Sequence, residues 1–322
     1  MKSMKWFNLG ADALARIAPD LERCYICPLC LRMLTPQELA GNPNLLSREH
    51  VPPEALGGSP ICLTCRDCNS RAGRELDVHW QARLEQIRFA QGTMQRAIQA
   101  HLTRDGKRIS ARVLRSPGSI LIWMVPAASD PSALSAYSAH LDQQIAAGQT
   151  RFDLGEISVG RGCRRDPAQV AELRAAYLSA FALFGYSFAL RPALDIIRSQ
   201  IAAPETRMIR SWSATVPDSA DDVRLVVGIQ RPSDMRSLMV QMGKSVVFLP
   251  GRVDDDGLYD RLADRAKADP TIPSDLGGIR YPWPKQPKHL LDFSTHVPTP
   301  DQPAPHDPHG GFHIVRVWQQ DD

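Results

Sequence analysis

Two Cys-x2-Cys pairs, 34 residues apart, constrain this chain more than any other feature. Cys27 and Cys30 form the first pair, and Cys65 and Cys68 form the second. Paired thiolates at this spacing wrap a single metal ion, and four of them would close one tetrahedral zinc site. Six of the seven cysteines lie within residues 24–68. In a reducing compartment such clustering is typical of metal binding rather than of disulfides.

Each pair also has a further cysteine three residues upstream, Cys24 and Cys62. Triplets at this spacing are found in iron–sulfur proteins as well, but those need a fourth cysteine, usually followed by proline, and neither triplet supplies it. Ligand type and compartment favour zinc on the two Cys-x2-Cys pairs. An iron–sulfur cluster and the absence of a stable metal stay open as alternatives, and so does any contact of Cys24 or Cys62 with the metal.

The segment between the two pairs carries most of the chain's candidates for polar chemistry. It contains Glu49–His50 and Gly57–Gly58, and Asn69 follows the second pair directly. A zinc site at the two ends of this segment would stabilise a loop that is too small to build its own core. We therefore expect polar residues within the loop to be held in fixed geometry. An oxygen ligand, an imidazole and an amide oxygen are what phosphodiester hydrolysis with one hard divalent cation requires.

The order CPLC…SREHVPPEALGG…CRDCN…G…D resembles the HNH endonuclease family, also called the ββα-metal or His-Me finger group. The resemblance covers residues 24–80, about a sixth of the chain. It implies a β-hairpin with the acid–histidine pair, a helix with the last ligand, and a structural zinc joining them. His50 would be the general base, and Glu49 and Asn69 would bind the catalytic divalent ion, usually Mg²⁺. The candidates for phosphate contacts are Arg48, Arg66, Arg71 and Arg74.

One departure from the family pattern concerns the hairpin turn. Many relatives place an Asn about five residues before the second Cys pair, where it braces the turn. Here the chain reads Gly58-Ser59-Pro60-Ile61. We therefore expect a shortened loop and another group, such as a backbone carbonyl, to orient His50. We also expect Gly57–Gly58 to form a tight turn, Gly73 to meet a backbone constraint, and Asp77 to cap the next helix.

The fold class predicted is α+β: a small zinc-stapled ββα-metal (HNH) module in residues 1–105, then a larger mixed α+β domain in residues 106–322. No motif in the larger domain carries chemistry, and its segment 268–311 is rich in proline. Periodicity and turn residues predict the elements. These are helices at 10–22, 78–102, 132–148, 166–184 and after Pro192, a hairpin around Ser116–Gly118, a strand from Val223, a hairpin around Gly243–Lys244, and a strand from His313.

Charge and hydropathy bear on partners. The formal net charge is +3, with +4 on the first 110 residues and −1 on the remainder, a weak indication of a phosphate-bearing partner near the cysteines. The N-terminus lacks the apolar core of a signal peptide, and no run approaches transmembrane length. We therefore expect a cytoplasmic protein with no membrane partner.

These features together predict a metal-dependent endonuclease that hydrolyses DNA phosphodiester bonds, in a context such as restriction or anti-phage defence. The second domain would supply recognition, dimerisation or control. A first alternative is a zinc-stabilised DNA- or RNA-binding protein that does not cut, and a second is a metal-stapled regulatory protein. The sequence leaves open DNA against RNA, the target sequence, the trigger and whether the protein is a homodimer.

Overall fold

The computed structural model describes residues 2–41, 44–160, 162–251, 257–269 and 276–289. The chain divides into two compact units, residues 1–78 with 166–322 and residues 79–165. Both helices and antiparallel sheets occur, which confirms the α+β class. Among the described residues, no helix combines the length and apolar character needed to cross a membrane.

The first unit begins with short elements around the cysteines. Helix α1 precedes the hairpin β1–β2, and helix α2 leads to the hairpin β3–β4, which runs directly into helix α3. A π-helical turn at Gly73–Asp77 follows, and then helix α4, of which all but Val78 belongs to the second unit. Their bounds are α1 Lys2–Ala15, β1 Tyr25–Ile26, β2 Met33–Leu34, α2 Pro36–Ala40, β3 Leu46–Val51, β4 Ser59–Cys65, α3 Arg66–Ala72 and α4 Val78–Gln91.

Two predicted helices have different bounds in the structure. The first lies earlier than 10–22, because α1 ends at Ala15 and Pro19 opens a separate 3-10 turn. The helix predicted to run to residue 102 ends at Gln91, since Gly92 adopts a φ of +67° that terminates it. The residues beyond Gly92 alternate between buried and exposed and form a strand instead.

The second unit contains a four-stranded antiparallel sheet and the helices α4 and α5. The strands are β5 Ile98–Arg104, β6 Lys107–Ser116, β7 Ser119–Met124 and β8 Glu156–Val159, in the order β7-β6-β5-β8, and α5 spans Pro131–Ala146. One face of β5 and β6 buries an apolar core against Ala133 and Tyr137 of α5. The predicted hairpin and helix are confirmed. The predicted domain boundary at residue 105 falls inside the turn that joins β5 to β6, so the structure divides the chain elsewhere.

The rest of the first unit contains helices and a five-stranded antiparallel sheet in the order β13-β10-β11-β12-β9. Here the predicted helices and the predicted strands from Val223 and around Gly243 are confirmed; the predicted strand from His313 lies outside the described residues. The elements are α6 Arg165–Phe184, α7 Tyr186–Ala189, α8 Asp195–Ala202, β9 Ser213–Thr215, β10 Arg224–Arg231, β11 Ser237–Met242, β12 Ser245–Leu249, α9 Leu258–Ala268 and β13 Gly277–Tyr281.

Helix α6 lies in the interior of the first unit. It is buried from Val170 to Phe184 on all sides, as expected of a helix that is apolar around its whole circumference. Two charged residues, Glu172 and Arg174, are buried with it. Since an isolated buried charge is very costly, each of these needs a partner nearby.

Candidate active site and metal centre

The four cysteines of the two Cys-x2-Cys pairs converge. Their Sγ atoms all lie within 4.8 Å of one another, and those of Cys30 and Cys65 are 3.7 Å apart. A tetrahedral ion with Zn–S bonds of about 2.3 Å separates its sulfurs by about 3.8 Å, so the four thiols could hold one zinc ion. Cys24 and Cys62 lie outside this group, and Cys62 is fully buried.

Local structure brings each pair to the site. Cys27 and Cys30 lie in the loop between β1 and β2, which we call the first knuckle. Cys65 ends β4 and caps α3, with Cys68 one turn later. Two backbone amides donate to sulfur, from Cys65 to Cys27 Sγ at 3.4 Å and from Cys68 to Cys65 Sγ at 3.5 Å. The four thiols share hydrogen bonds, which lower the pKa of Cys30 and Cys65 and raise that of Cys27.

Residues far along the chain hold the first knuckle. The hydroxyl of Tyr177 on α6 donates to the Pro28 carbonyl at 2.8 Å. The hydroxyl of Tyr186 on α7 donates to the Ile26 carbonyl at 2.7 Å and accepts from the Ile26 amide at 2.9 Å. All three hydrogen bonds are buried, so the cysteine site is part of the same core as α6. The predicted module of residues 1–105 is therefore completed by residues after 166.

The turn between β3 and β4 requires its two glycines. Gly57 closes a 3-10 turn with a φ of +77°, a left-handed conformation that suits glycine. A Cβ on Gly58 would lie 1.4 Å from the Pro52 carbonyl oxygen. The predicted tight turn is confirmed. The constraint predicted at Gly73 is wrong, because that residue is helical with a φ of −58° and open space around its Cα.

Glu49 occupies a buried cluster of charges. Its side chain is 3% exposed, and its Oε2 lies 2.6 Å from Nη2 of Arg174, which is 2% exposed. The Thr64 hydroxyl donates to the same oxygen at 3.0 Å. A second carboxylate, that of Asp77, has its Oδ1 3.6 Å from Nη1 of Arg174. We refer to Glu49, Arg174 and Asp77 as the buried charge cluster.

Burial and ion pairing have opposite effects on the pKa values of Asp77 and Arg174. Burial raises the pKa of Asp77 to about 6; Arg174 opposes that rise, and the like charge of Glu49 adds to it. Burial alone would lower the pKa of Arg174, but the two carboxylates outweigh it and raise the pKa above its ordinary value. Asp77 lies in the π-helical turn ahead of α4 and faces the guanidinium. The expectation that it caps a helix is wrong.

His50 is the neighbour of Glu49 on β3 and is partly exposed. It pairs with Pro60 on β4, whereas Glu49 pairs with Cys62, so Ile61 forms a bulge beside them. Bulges re-aim side chains and are common next to active sites. Within the described part of the chain, the His50 imidazole makes no hydrogen bond. The backbone carbonyl that we expected to orient it is therefore not observed among those residues.

Asn69 connects helix α3 to strand β3. Its side-chain amide nitrogen donates to the Ser47 hydroxyl at 2.9 Å and approaches the Arg48 carbonyl at 3.4 Å. These contacts fix the carboxamide two to three residues before His50 on the strand. They use only the nitrogen of the side chain, and the amide oxygen makes no hydrogen bond with the part of the chain that the structure describes.

The four arginines proposed for phosphate contacts lie on the hairpin and on the helical segment that follows it. Three are exposed and Arg71 is half-buried. Among the described residues, none of the four makes an ion pair. Solvated, uncompensated guanidinium groups of this kind can meet an anionic ligand without first breaking an internal contact.

Sequence reasoning missed Arg174 entirely. Its signal is a charged residue within an otherwise apolar helix, in AELRAAYLSAFALF. A charge there must have a buried partner. The sequence does not reveal that this partner is Glu49, 125 residues upstream.

Comparisons with protein-family models, with curated proteins and with solved structures find no match to this chain.

Proposed function

We propose that this protein is a metal-dependent endonuclease that hydrolyses phosphodiester bonds of DNA, with the HNH-like arrangement of residues 24–80 as its catalytic module. The observation that carries the proposal is the tie between Asn69 and the strand that bears His50. A hairpin with the acid–histidine pair, a following helix with the amide and a possible zinc site joining them match what the family resemblance implies.

Two side-chain oxygens that are left over after the internal contacts are counted support the assignment of a hard divalent cation. Both contacts of Glu49 fall on Oε2, and in the described part of the chain Oε1 has no hydrogen bond. The Asn69 oxygen is likewise unused. Glu49 and Asn69 would hold the cation, and Arg174 and Thr64 would fix the carboxylate from behind, as outer partners commonly do for metal ligands.

Each residue then has a defined task. His50 takes a proton from the attacking water through a ring nitrogen that no described group occupies. When bound, a divalent cation supplies charge neutralisation at the non-bridging and leaving oxygens. Arg48, Arg66, Arg71 and Arg74 contact phosphates and hold the strand in register without reading its sequence. If it holds a structural zinc ion, the cysteine site would keep the hairpin and α3 rigid.

A nicking assay on supercoiled plasmid tests this function. The wild-type protein, purified with zinc and supplied with Mg²⁺, Mn²⁺ or Ni²⁺, should convert the plasmid to nicked or linear forms. His50→Ala should lower the rate by about 10²-fold or more, the usual contribution of a general base. His140→Ala, which changes a half-buried histidine of the second unit, serves as the matched control. Equal rates for wild type and His50→Ala would rule out the assigned mechanism.

A second candidate is a zinc-stabilised nucleic-acid-binding protein that does not cut. It is favoured by one observation, the ion pair that already neutralises Glu49. A cation at this carboxylate must tolerate the positive charge of Arg174 nearby. Binding of DNA by both wild type and His50→Ala, without nicking by either under any of the three cations, would establish this candidate and refute cleavage.

A further inference from the structure

One face of the sheet of the second unit bears exposed side chains, although its Ser110 hydroxyl donates to the carbonyl of Ala128 in the turn after β7. Directly paired residues of antiparallel strands share a face. Gln99 pairs with Arg112, and Arg112 pairs with Trp123, so these three form a row across β5, β6 and β7. The neighbouring positions Ala100, Ala111 and Val113 point the other way, into the core with α5. We call the side that bears Gln99, Arg112 and Trp123 the outer face.

Large side chains on the outer face are unusually open to solvent. Trp123 is 47% exposed, and Leu121, two residues earlier on the same strand, is 52% exposed. Gln99, Arg108 and Arg112 are exposed as well. A tryptophan is highly buried on average, so a half-exposed tryptophan two residues from a half-exposed leucine makes this face a candidate interaction surface.

The charge of this unit indicates the kind of partner. Residues 79–165 contain twelve Lys and Arg against six Asp and Glu, a formal charge of +6 in a chain whose total is +3. Arg104 is paired with Asp105 and Asp153. By contrast, Arg108 and Arg112 form no ion pair with any described residue. An acidic residue, Glu156, lies at the opposite edge of the sheet in register with Thr103.

We infer that the outer face binds single-stranded nucleic acid. An exposed indole offers a stacking platform for one base, and an adjacent guanidinium can stack on the next base or meet its phosphate. Gln99 completes the row with a side chain that both donates and accepts hydrogen bonds at a base edge. A sheet face with an exposed aromatic ring suits a strand whose bases are splayed out, because in a duplex the faces of the bases are covered by stacking.

This site would be separate from the residues that the proposed nuclease uses, and binding there does not require cleavage. The test is fluorescence anisotropy of the full chain with a labelled 20-nucleotide single strand of mixed sequence, as DNA and as RNA, and with the corresponding duplex. No divalent cation and no chelator is added, so the strand is not cut and the cysteine site is not stripped. Wild type should bind at least one single strand more tightly than the duplex.

Two substitutions probe the face itself. Trp123→Ala should weaken single-strand binding by about 5- to 100-fold, the loss of one base–aromatic stack, while Trp123→Phe should keep most of the affinity. Arg112→Ala should weaken binding and reduce the slope of log Kd against log salt by about 0.7. Phe152→Ala and Arg151→Ala are the matched controls, since Phe152 is 48% exposed and lines the apolar recess beneath α5.

The outcomes separate the possibilities. Losses in Trp123→Ala and Arg112→Ala, with unchanged controls and unchanged thermal melting, support the site. Unchanged binding in both variants overturns it, as does a preference for duplex that neither variant alters. Concentration-dependent self-association that Trp123→Ala abolishes, with no oligonucleotide bound by wild type, would instead assign the face to a second copy of the chain. If the wild-type protein binds single strands but is inactive in the nicking assay, the binding site is supported and only the proposed cleavage is refuted.

Discussion

Nη2 of Arg174 lies 2.6 Å from Oε2 of Glu49, and both side chains are almost fully buried although 125 residues separate them. The contact joins the central helix α6 to the strand that carries His50. It therefore makes the geometry of the candidate active site dependent on a part of the chain in which the sequence predicts no chemistry.

Arg174→Met should destabilise the first unit by about 3–5 kcal/mol. The reason is that Glu49 would stay buried with its countercharge removed, and the penalty of an uncompensated buried charge exceeds the worth of the pair itself. The free energy of unfolding, from urea titration, measures the effect. Arg32→Ala is a suitable control, because its ion pair with Glu38 is exposed and should contribute less than about 1 kcal/mol.

The double variant Glu49→Gln with Arg174→Met should recover part of that loss. Removing both charges leaves a neutral amide that Thr64 can still bond, at a smaller desolvation cost than a lone carboxylate. A double variant as unstable as the sum of the two single variants would show that the two residues do not interact in solution.

Cys65→Ser should lose both the metal and the folded state of the first unit, because a structural zinc contributes folding free energy directly. Elemental analysis should find one zinc per wild-type chain. Cys24→Ser and Cys62→Ser are the matched controls and should retain that zinc, since their sulfurs lie outside the four-thiol group. A fully folded, zinc-free Cys65→Ser protein would contradict the assigned site.

Two glycines should respond to alanine in opposite ways. Gly58→Ala should destabilise the hairpin strongly, because the new Cβ would overlap the Pro52 carbonyl oxygen, which can move only if the backbone moves. Gly73→Ala should stabilise by up to about 1 kcal/mol, since the site is helical and has room for a methyl group. Thermal melting of the two proteins compares them directly. Equal melting temperatures would mean that the turn has a different geometry.

His289 should make stability depend on pH. Its ring packs against Phe181 and Tyr186, both nitrogens lack hydrogen bonds in the described structure, and burial lowers its pKa to about 4. The unfolded chain takes up a proton near pH 6.5 and the folded one only near pH 4. Stability present above pH 6.5 is therefore lost as the pH falls through this window, by about 3 kcal/mol in total.

His289→Phe should remove that contribution and flatten the acid limb of the stability curve. The measurement is the unfolding free energy of wild type minus that of His289→Phe, taken at pH 7.5 and again at pH 4.5. Any release of zinc at low pH affects both proteins and cancels in this difference. Parallel curves for wild type and His289→Phe would show that this imidazole is solvated or paired in the folded protein.

Local signals in the sequence predicted much of the fold. Helices α5 and α6 and the hairpin of β11 and β12 follow from periodicity and turn residues. The helix beyond Gln91 was mispredicted because polar residues continue past Gly92, although that glycine adopts a left-handed conformation and ends the helix. The boundary at residue 105 was misplaced because contiguity along the chain does not reveal that residues 79–165 are inserted into the first unit.

By itself, the sequence identified the four cysteines that could hold one metal ion, since the Cys-x2-Cys spacing is a local pattern and the fold has only to bring the two pairs together. It also determined the candidate chemistry, through the types and order of Glu49, His50 and Asn69. Only the tertiary structure decided that Glu49 is held by Arg174 and that tyrosines of α6 and α7 hold the first knuckle. Such contacts depend on which distant segments share one core. The ion pair and the hydrogen bonds become strong only when packing of the chain has removed water from around them.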